Sequence, residues 1–353
     1  MTRPKTDCTR KRPSCGTALA PEPHIVVAGA GAIGCFVGGL LAAGGHRVTL
    51  LVRPRVRAEI RAHGLTLTDF SGLDRKMDAD AFDLRDDPGC MGTADIVLVT
   101  VKSGATAEMG RLIAAHTDAQ TRVISLQNGT ENAQTLTRIL PDHDVRAGMV
   151  PFNVVPLGQG CFHRATSGDI VIGAGPGDLA KLLSVPHLAL AQSDDIIALQ
   201  WGKFLINLNN AVNALSGLTL REQLQDRRWR RLMADQMQEA LGILRASGIS
   251  PASTTPVPVG LVPWVLRLPT PLFTRVAAQM LTIDAQARTS MAHDLMAGRK
   301  TEIDVLQGQV VAMGKAAGKP TPINARVHEL VKRAETAAEG VPHLPVEVIR
   351  KAD

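Results

Sequence analysis

Apolar positions along this chain change their spacing near residue 195, and that change predicts its architecture. Before it, short uninterrupted apolar runs alternate with segments of helical period. Residues 24–28, 47–52, 94–102 and 121–127 are rich in β-branched side chains, as expected of parallel strands buried on both faces. Residues 35–43, 106–116 and 131–140 lie between them and read as crossover helices. Strand alternating with helix predicts an α/β unit around a parallel sheet. Residues 64–69 and 75–80 read as a short hairpin beside that sheet, and 145–155 and 168–173 as two further strands joined across a Gly-Gln-Gly turn. Beyond 195 the strand pattern stops, and 195–215, 227–246, 273–298 and 301–317 are helical in period. The chain therefore divides into a tail (1–23), a Rossmann-type sheet domain (24–195) and an all-α domain (196–345).

The first strand ends in a glycine-rich turn made of Gly29, Ala30, Gly31, Ala32, Ile33 and Gly34. GxGxxG is the spacing of a dinucleotide-binding turn. The first glycine permits the turn, the second lets backbone approach a pyrophosphate, and the third lets the helix pack close to the sheet. Strand, turn, helix and second strand follow within about 30 residues, which is the expected βαβ unit. At the end of the second strand, where an acid would hold the ribose hydroxyls of NAD, the chain has Arg53, and no acid occurs between Gly34 and Glu59. An arginine there accommodates a 2′-phosphate, so the cofactor expected is NADP(H). The bland alternative is that Arg53 and Arg55 are simply solvated.

Two other strands deliver polar residues to the same edge, Lys102 after 94–101 and Gln127, Asn128 and Gly129 after 121–126. Open α/β sheets place ligands at that edge. In the helical half, Lys203, Asn207 and Asn210 fall at i, i+4 and i+7 among Phe204, Leu205, Ile206 and Leu208. A lysine and amides on one face of so apolar a helix are costly to bury without partners, which points to the lining of a cleft, with an interface or capping network as the alternative. Further on, Ser290 and Glu302 stand among many charges, and spacing alone does not separate Glu302 from Asp304. Residues 251–271 hold six prolines and read as an irregular excursion whose apolar residues pack on something: a partner subunit, a lid over the cleft, or nothing beyond a surface loop.

Composition narrows the class. With 45% hydrophobic and 20% charged residues the chain is globular, and the absence of tyrosine disfavours a reader of stacked bases, so no nucleic-acid partner is expected. Half of the net charge of +6 sits in the first 23 residues, so the excess is partly a property of a disordered basic tail, and the remainder is consistent with anionic ligands such as phosphates. A targeting segment or an overextended start are the alternatives for that tail. Five scattered cysteines without ligand spacing read as free thiols of a reducing, cytoplasmic setting, with no metal site. No run of 18 uncharged apolar residues occurs, so no membrane span is expected.

Taken together these motifs resemble the ketopantoate reductase (2-dehydropantoate 2-reductase) family from about residue 25 to 333. The markers are Gly29 to Gly34, the Val-Thr-Val-Lys at 99–102, Leu-Gln-Asn-Gly at 126–129, Trp-Gly-Lys at 201–203 with Asn207, Ser290, the segment from Gly298 to Asp304, and Gly318 to Asn324. The resemblance implies NADPH-dependent reduction of a small 2-oxo acid, ketopantoate to pantoate, as a step in pantothenate and coenzyme A biosynthesis. It implies Lys203 as general acid and Glu302 as its catalytic partner. Lys102 and Asn128 would lie along the nicotinamide side of the cleft, and Asn207 and Ser290 would hold the substrate. The family's second substrate asparagine falls at Ala211 here. Asn210 or Asn213 would replace it, and this departure leaves open a relative acting on another 2-oxo acid or ketone. A non-enzymatic NADPH-binding protein is the reading from another class. A homodimer is compatible with the sequence, which does not by itself set the oligomeric state.

Overall fold

A computed structural model describes residues 22–254, 257–278 and 286–351. The basic tail, apart from Glu22 and Pro23, lies outside the described residues, as do Pro256 of the excursion and 279–285 of the helix expected at 273–298. Twelve strands occur among the described residues: β1 (His24–Ala28), β2 (Arg47–Leu51), β3 (Leu65–Asp69), β4 (Asp74–Met77), β5 (Asp83–Arg85), β6 (Ile96–Val99), β7 (Arg122–Ser125), β8 (Val145–Met149), β9 (Val154–Gly158), β10 (Cys161–Arg164), β11 (Ile170–Gly173) and β12 (Leu190–Ser193).

Eight of them form one sheet in the order β12-β11-β8-β7-β6-β1-β2-β5. From β8 to β5 every pairing is parallel, and β11 meets β8 antiparallel. All residues of β1 and β6 are buried, which is why their sequences are continuous rather than alternating. The helix Ala32–Ala43 covers one face with Phe36, Val37, Leu40 and Leu41, and Thr106–His116 covers the other with Met109 and Ile113. The expected hairpin is β3–β4, and it belongs to a second sheet, β4-β3-β10-β9.

The run expected as one strand over 145–155 is two strands in two sheets. Pro151 has no N–H to continue a ladder, so β8 stays in the main sheet and β9 starts the second one. The Gly158-Gln159-Gly160 turn accordingly joins β9 to β10, rather than 145–155 to 168–173.

After Ser193 the described elements are helical, around the long helix Arg227–Ala246. Its apolar stripe, including Trp229, Leu232, Met237, Leu241 and Leu244, shares one core with Phe204, Val212, Leu266, Phe273 and Val331. The helix expected over 195–215 is divided: Ile196–Asn207 stops at Leu208, whose carbonyl accepts from the buried Gln307 side chain at 2.8 Å, and Asn209–Ser216 restarts it. The segments 273–298 and 301–317 are likewise shorter than expected, as Thr270–Val276 and Ser290–Met296, and as a single tight turn Ile303–Val305 before Gln307–Ala316.

The proline-rich excursion corrects its own reading, because it holds helices at Val262–Arg267 and Thr270–Val276. Pro263 and Pro271 lie in the first turn of each, where a missing N–H costs nothing. Val259, Val262 and Leu266 enter the helical core, while Trp264 stays 65% exposed. Arg230, fully buried on the long helix, holds the excursion by donating to the carbonyls of Leu266 at 3.2 Å and Leu268 at 2.9 Å. Among the described residues no helix is long and apolar enough to cross a membrane, and no cluster of acids, histidines or cysteines has the form of a metal site.

Candidate active site

The parallel order β7-β6-β1-β2 brings four loops to one edge of the sheet. Gly29 has φ +84°, and a Cβ there would lie 2.1 Å from Val101 Cγ1, so only glycine fits the turn. At Gly34 a Cβ would stand 2.5 Å from Thr100 Oγ1, which itself donates to the Gly29 carbonyl at 3.1 Å. Helix, strand and turn are thus locked together. Gly31 differs: a Cβ there would meet nothing nearer than 3.9 Å, so the space beside it is open. No side chain caps the helix Ala32–Ala43 that begins here. An open cradle at uncapped helix N–H groups fits an anionic group such as a pyrophosphate, which the backbone of Gly31, Ala32 and Ile33 would hold.

Arg53 follows the end of β2, exposed; its carbonyl accepts from the Arg57 amide at 3.0 Å, while its side chain makes no hydrogen bond or ion pair among the described residues. Its neighbours are committed: Arg55 to Glu59 at 3.4 Å and Arg57 to Asp86 at 2.5 Å. Cys35, inside the same unit, donates to the Ala30 carbonyl, and burial pushes its thiol up to about 12, so it stays protonated.

Asn128 is where the sheet meets the helical half. Its carbonyl accepts from Ser103 Oγ at 3.0 Å, which fixes the loop. Its side chain then faces two ways: Oδ1 accepts from Lys203 Nζ at 2.8 Å, and Nδ2 donates to Glu302 Oε2 at 3.4 Å. Lys203 also donates to the Val150 carbonyl. At the preceding Gly202 the Ala252 carbonyl passes 1.8 Å from where a Cβ would be, so that position admits only glycine. Burial lowers Lys203 to about 8, and the Glu302 charge partly offsets that fall. A small open pocket lies here, lined by Asn128, Gly129, Met149, Gln200, Lys203 and Asn207 among others.

Of the polar stripe read from the sequence, then, Lys203 and Asn207 line the pocket and Asn210 lies past the break at Leu208. Asn213 is consumed structurally: fully buried, it donates to the Leu218 carbonyl at 3.0 Å and accepts from the Thr289 amide at 3.1 Å. Ala211 is fully buried in the helical core. Ser290 opens the helix Ser290–Met296, and the adjacent Thr289 donates to the Asn210 carbonyl at 3.1 Å.

Geometry separates the two acids that spacing could not. Glu302 reaches Asn128, whereas Asp304 turns outward to His328 at 2.8 Å and Lys332 at 3.0 Å. Lys102 reaches across the cleft to Asp294 at 2.8 Å and to the Lys300 carbonyl at 3.3 Å. Asp294 and Gln309, which donates to Thr130 at 3.1 Å, were not singled out by sequence. Their signal is a partner nearly 200 positions away, which no local pattern carries.

A half-buried ammonium linked through an amide to a carboxylate, in a polar pocket on the sheet edge that carries the glycine turn, can polarise and protonate a carbonyl oxygen. Comparison with known proteins agrees in class. The family described as "Ketopantoate reductase PanE/ApbA" matches residues 25–177, and "Ketopantoate reductase PanE/ApbA C terminal" matches 195–335. The 2-dehydropantoate 2-reductase of Halobacterium salinarum is 26% identical over 321 residues, covering 88% of this chain and 99% of that one. The crystal structure of a PanE/ApbA family ketopantoate reductase from Ralstonia eutropha JMP134 matches with a TM-score of 0.76 at 30% identity, over 90% of this chain and 99% of that one. D-mandelate dehydrogenase, solved with NADH and anilino(oxo)acetate, shares the fold with a TM-score of 0.71 at 21% identity, over 89% and 99%.

Proposed function

The chain belongs to the ketopantoate reductase family, nicotinamide-dependent oxidoreductases acting on a CH–OH or ketone group, and we propose that it reduces 2-dehydropantoate to pantoate with NADPH. The observation that carries this reading is the position of Lys203, half-buried, its ammonium bonded in a polar pocket to the same Asn128 side chain that donates to Glu302. When bound, the cofactor supplies a hydride to the ketone carbon. Lys203 then gives its proton to the carbonyl oxygen, where negative charge develops, and the product is the alcohol. With its basicity lowered to about 8, Lys203 is still largely protonated near neutrality and yields its proton more readily than an ordinary lysine. Asn128 and the Val150 carbonyl hold that ammonium in place, Glu302 acts on it through its charge, and Asn207, Asn210 and Ser290 form the substrate side. Gly29 to Gly34, Lys102 and Asn128 hold the cofactor, and Arg53 receives its 2′-phosphate.

A second reading within the family, another small 2-oxo acid, is favoured by one observation. Position 211 is a buried alanine and Asn213 is spent on Leu218 and Thr289, so the second substrate amide has to come from Asn210, one position earlier and past the break at Leu208. The test is NADPH consumption with 2-dehydropantoate and a panel of 2-oxo acids, run beside Lys203→Ala. Turnover of 2-dehydropantoate at the highest kcat/KM, with kcat reduced by on the order of a hundredfold to ten-thousandfold in Lys203→Ala, is the expected result. Turnover of another 2-oxo acid alone selects the second reading. Tight NADPH binding with no turnover of any carbonyl leaves a binding protein, and an unaffected Lys203→Ala variant removes the lysine from its role.

A further inference from the structure

Glu302 has no side-chain cap of its own turn and is held toward Asn128 by a single 3.4 Å hydrogen bond, too little to fix a flexible side chain. What fixes its backbone comes from another element. Glu335, on the helix Pro322–Ala337, accepts from both the amide and the hydroxyl of Thr301 at 2.7 Å each, and its side chain is only 8% exposed. The Thr301 hydroxyl in turn accepts from the Ile303 amide at 3.2 Å, so the backbone is gripped on both sides of Glu302. One turn earlier on the same helix, Lys332 spans Glu335 at 3.4 Å and Asp304 at 3.0 Å, and His328 holds the other Asp304 oxygen. A single helix thus clasps both ends of residues 301–304.

We propose that Glu335 is a positioning residue of the reaction: by clasping Thr301 it sets Glu302 against Asn128 and Lys203. The proposal rests on the reading of Lys203 and Glu302 given above. A nearly buried carboxylate with a cationic neighbour and two short donors is a rigid anchor, whereas an exposed ion pair would not be. The charge reaching Lys203 comes from Glu302. On the elements packed against its helix, Arg146 of β8 is committed to Asp144, while Asp235 and Glu239 of the long helix are committed to Arg267 and to the amides of Ile323 and Asn324. Asn128 and the Val150 carbonyl carry no charge.

The consequence is visible in pH. Lys203 acts as its ammonium, so rate falls as pH rises through its pKa, and the wild-type alkaline limb is expected near pH 8. Glu302 raises that pKa, so displacing Glu302 moves the limb to lower pH. We would measure kcat, kcat/KM and NADPH affinity against pH for wild type, Glu302→Gln, Glu335→Ala and Glu335→Gln, with the best ketone substrate. Glu335→Ala is expected to lower kcat on the order of tenfold to a hundredfold, shift the limb in the same direction as Glu302→Gln, and leave NADPH affinity unchanged. Glu335→Gln, whose carbonyl still accepts from Thr301, restores most of kcat. If Glu335→Ala lowers the melting temperature but leaves limb and kcat in place, Glu335 only stabilises the fold and the proposal falls. If Glu302→Gln itself leaves the limb unmoved, the reading of Lys203 and Glu302 fails and takes the proposal with it. Should Glu335→Ala not fold, Thr301→Val removes the hydroxyl half of the clasp, with the same two outcomes.

Discussion

Arg53, Arg55 and Arg57 crowd the end of β2, and the sequence singles out Arg53 only by its place directly after the second strand. The structure separates them by their partners, since Arg55 and Arg57 each answer a carboxylate while Arg53 has none among the described residues. An exposed arginine without a partner keeps its full capacity for a charge-assisted bond to phosphate, of about 1.5–3 kcal/mol. Arg53→Ala is therefore expected to weaken NADPH on the order of tenfold to a hundredfold, as that free energy implies, while NADH is little changed. Titrating both cofactors by fluorescence decides it, and equal weakening of the two would take the 2′-phosphate away from Arg53. The fold cannot make this choice by itself, because D-mandelate dehydrogenase shares it and was solved with NADH.

At the scale of elements, legibility followed the range of the interactions that make each one. β1, β6 and the glycine turn were readable because a strand buried on both faces and a close helix crossing leave their marks within a few consecutive residues. The division of 145–155 between two sheets, the break at Leu208 and the helices inside the proline-rich excursion were not. The last two are imposed from outside the local pattern, by the Gln307 amide and by Arg230 reaching the carbonyls of Leu266 and Leu268, whereas the first left its mark locally in Pro151, though which sheet each half joins did not. The helix Pro322–Ala337 escaped notice for a similar reason. Its N-cap, Thr321, makes no side-chain capping bond, and Glu239 of the long helix caps it instead, accepting from the amides of Ile323 at 2.9 Å and Asn324 at 3.1 Å. The marker from Gly318 to Asn324 is thus a folding device: Asn324 is fully buried and donates to Glu239 and to the Gln236 carbonyl. Glu239→Ala strands two helix N–H groups and is expected to cost about 1–3 kcal/mol. Denaturant unfolding should show that loss with Lys203's pH limb in place. A midpoint unchanged within error would mean that the cap is replaceable by water.

For the whole molecule the question is what joins the two halves, and the cross-cleft contacts differ in kind. Asn128 to Glu302 spans 174 positions and Lys102 to Asp294 spans 192, so neither could be read from periodicity. Gln200, buried, donates to the Gly148 carbonyl at 3.0 Å and ties the first helix of the helical half to β8. Lys102 is different, because its side chain is 54% exposed, and an ion pair that open contributes about 0–1 kcal/mol. Asp294 is moreover shared with Arg299 at 3.0 Å, so losing Lys102 does not leave it unpaired. Lys102 therefore contributes little to cohesion. Its place at the end of the β6 loop, on the sheet edge that carries the glycine turn, suits a cofactor contact better. Lys102→Ala is expected to leave the unfolding free energy within about 1 kcal/mol of wild type and to raise the KM for NADPH severalfold. Denaturant midpoints and initial rates measured on the same preparation separate the two roles. A larger stability loss with unchanged KM would make the pair a clasp between the halves, and would take Lys102 out of the cofactor site.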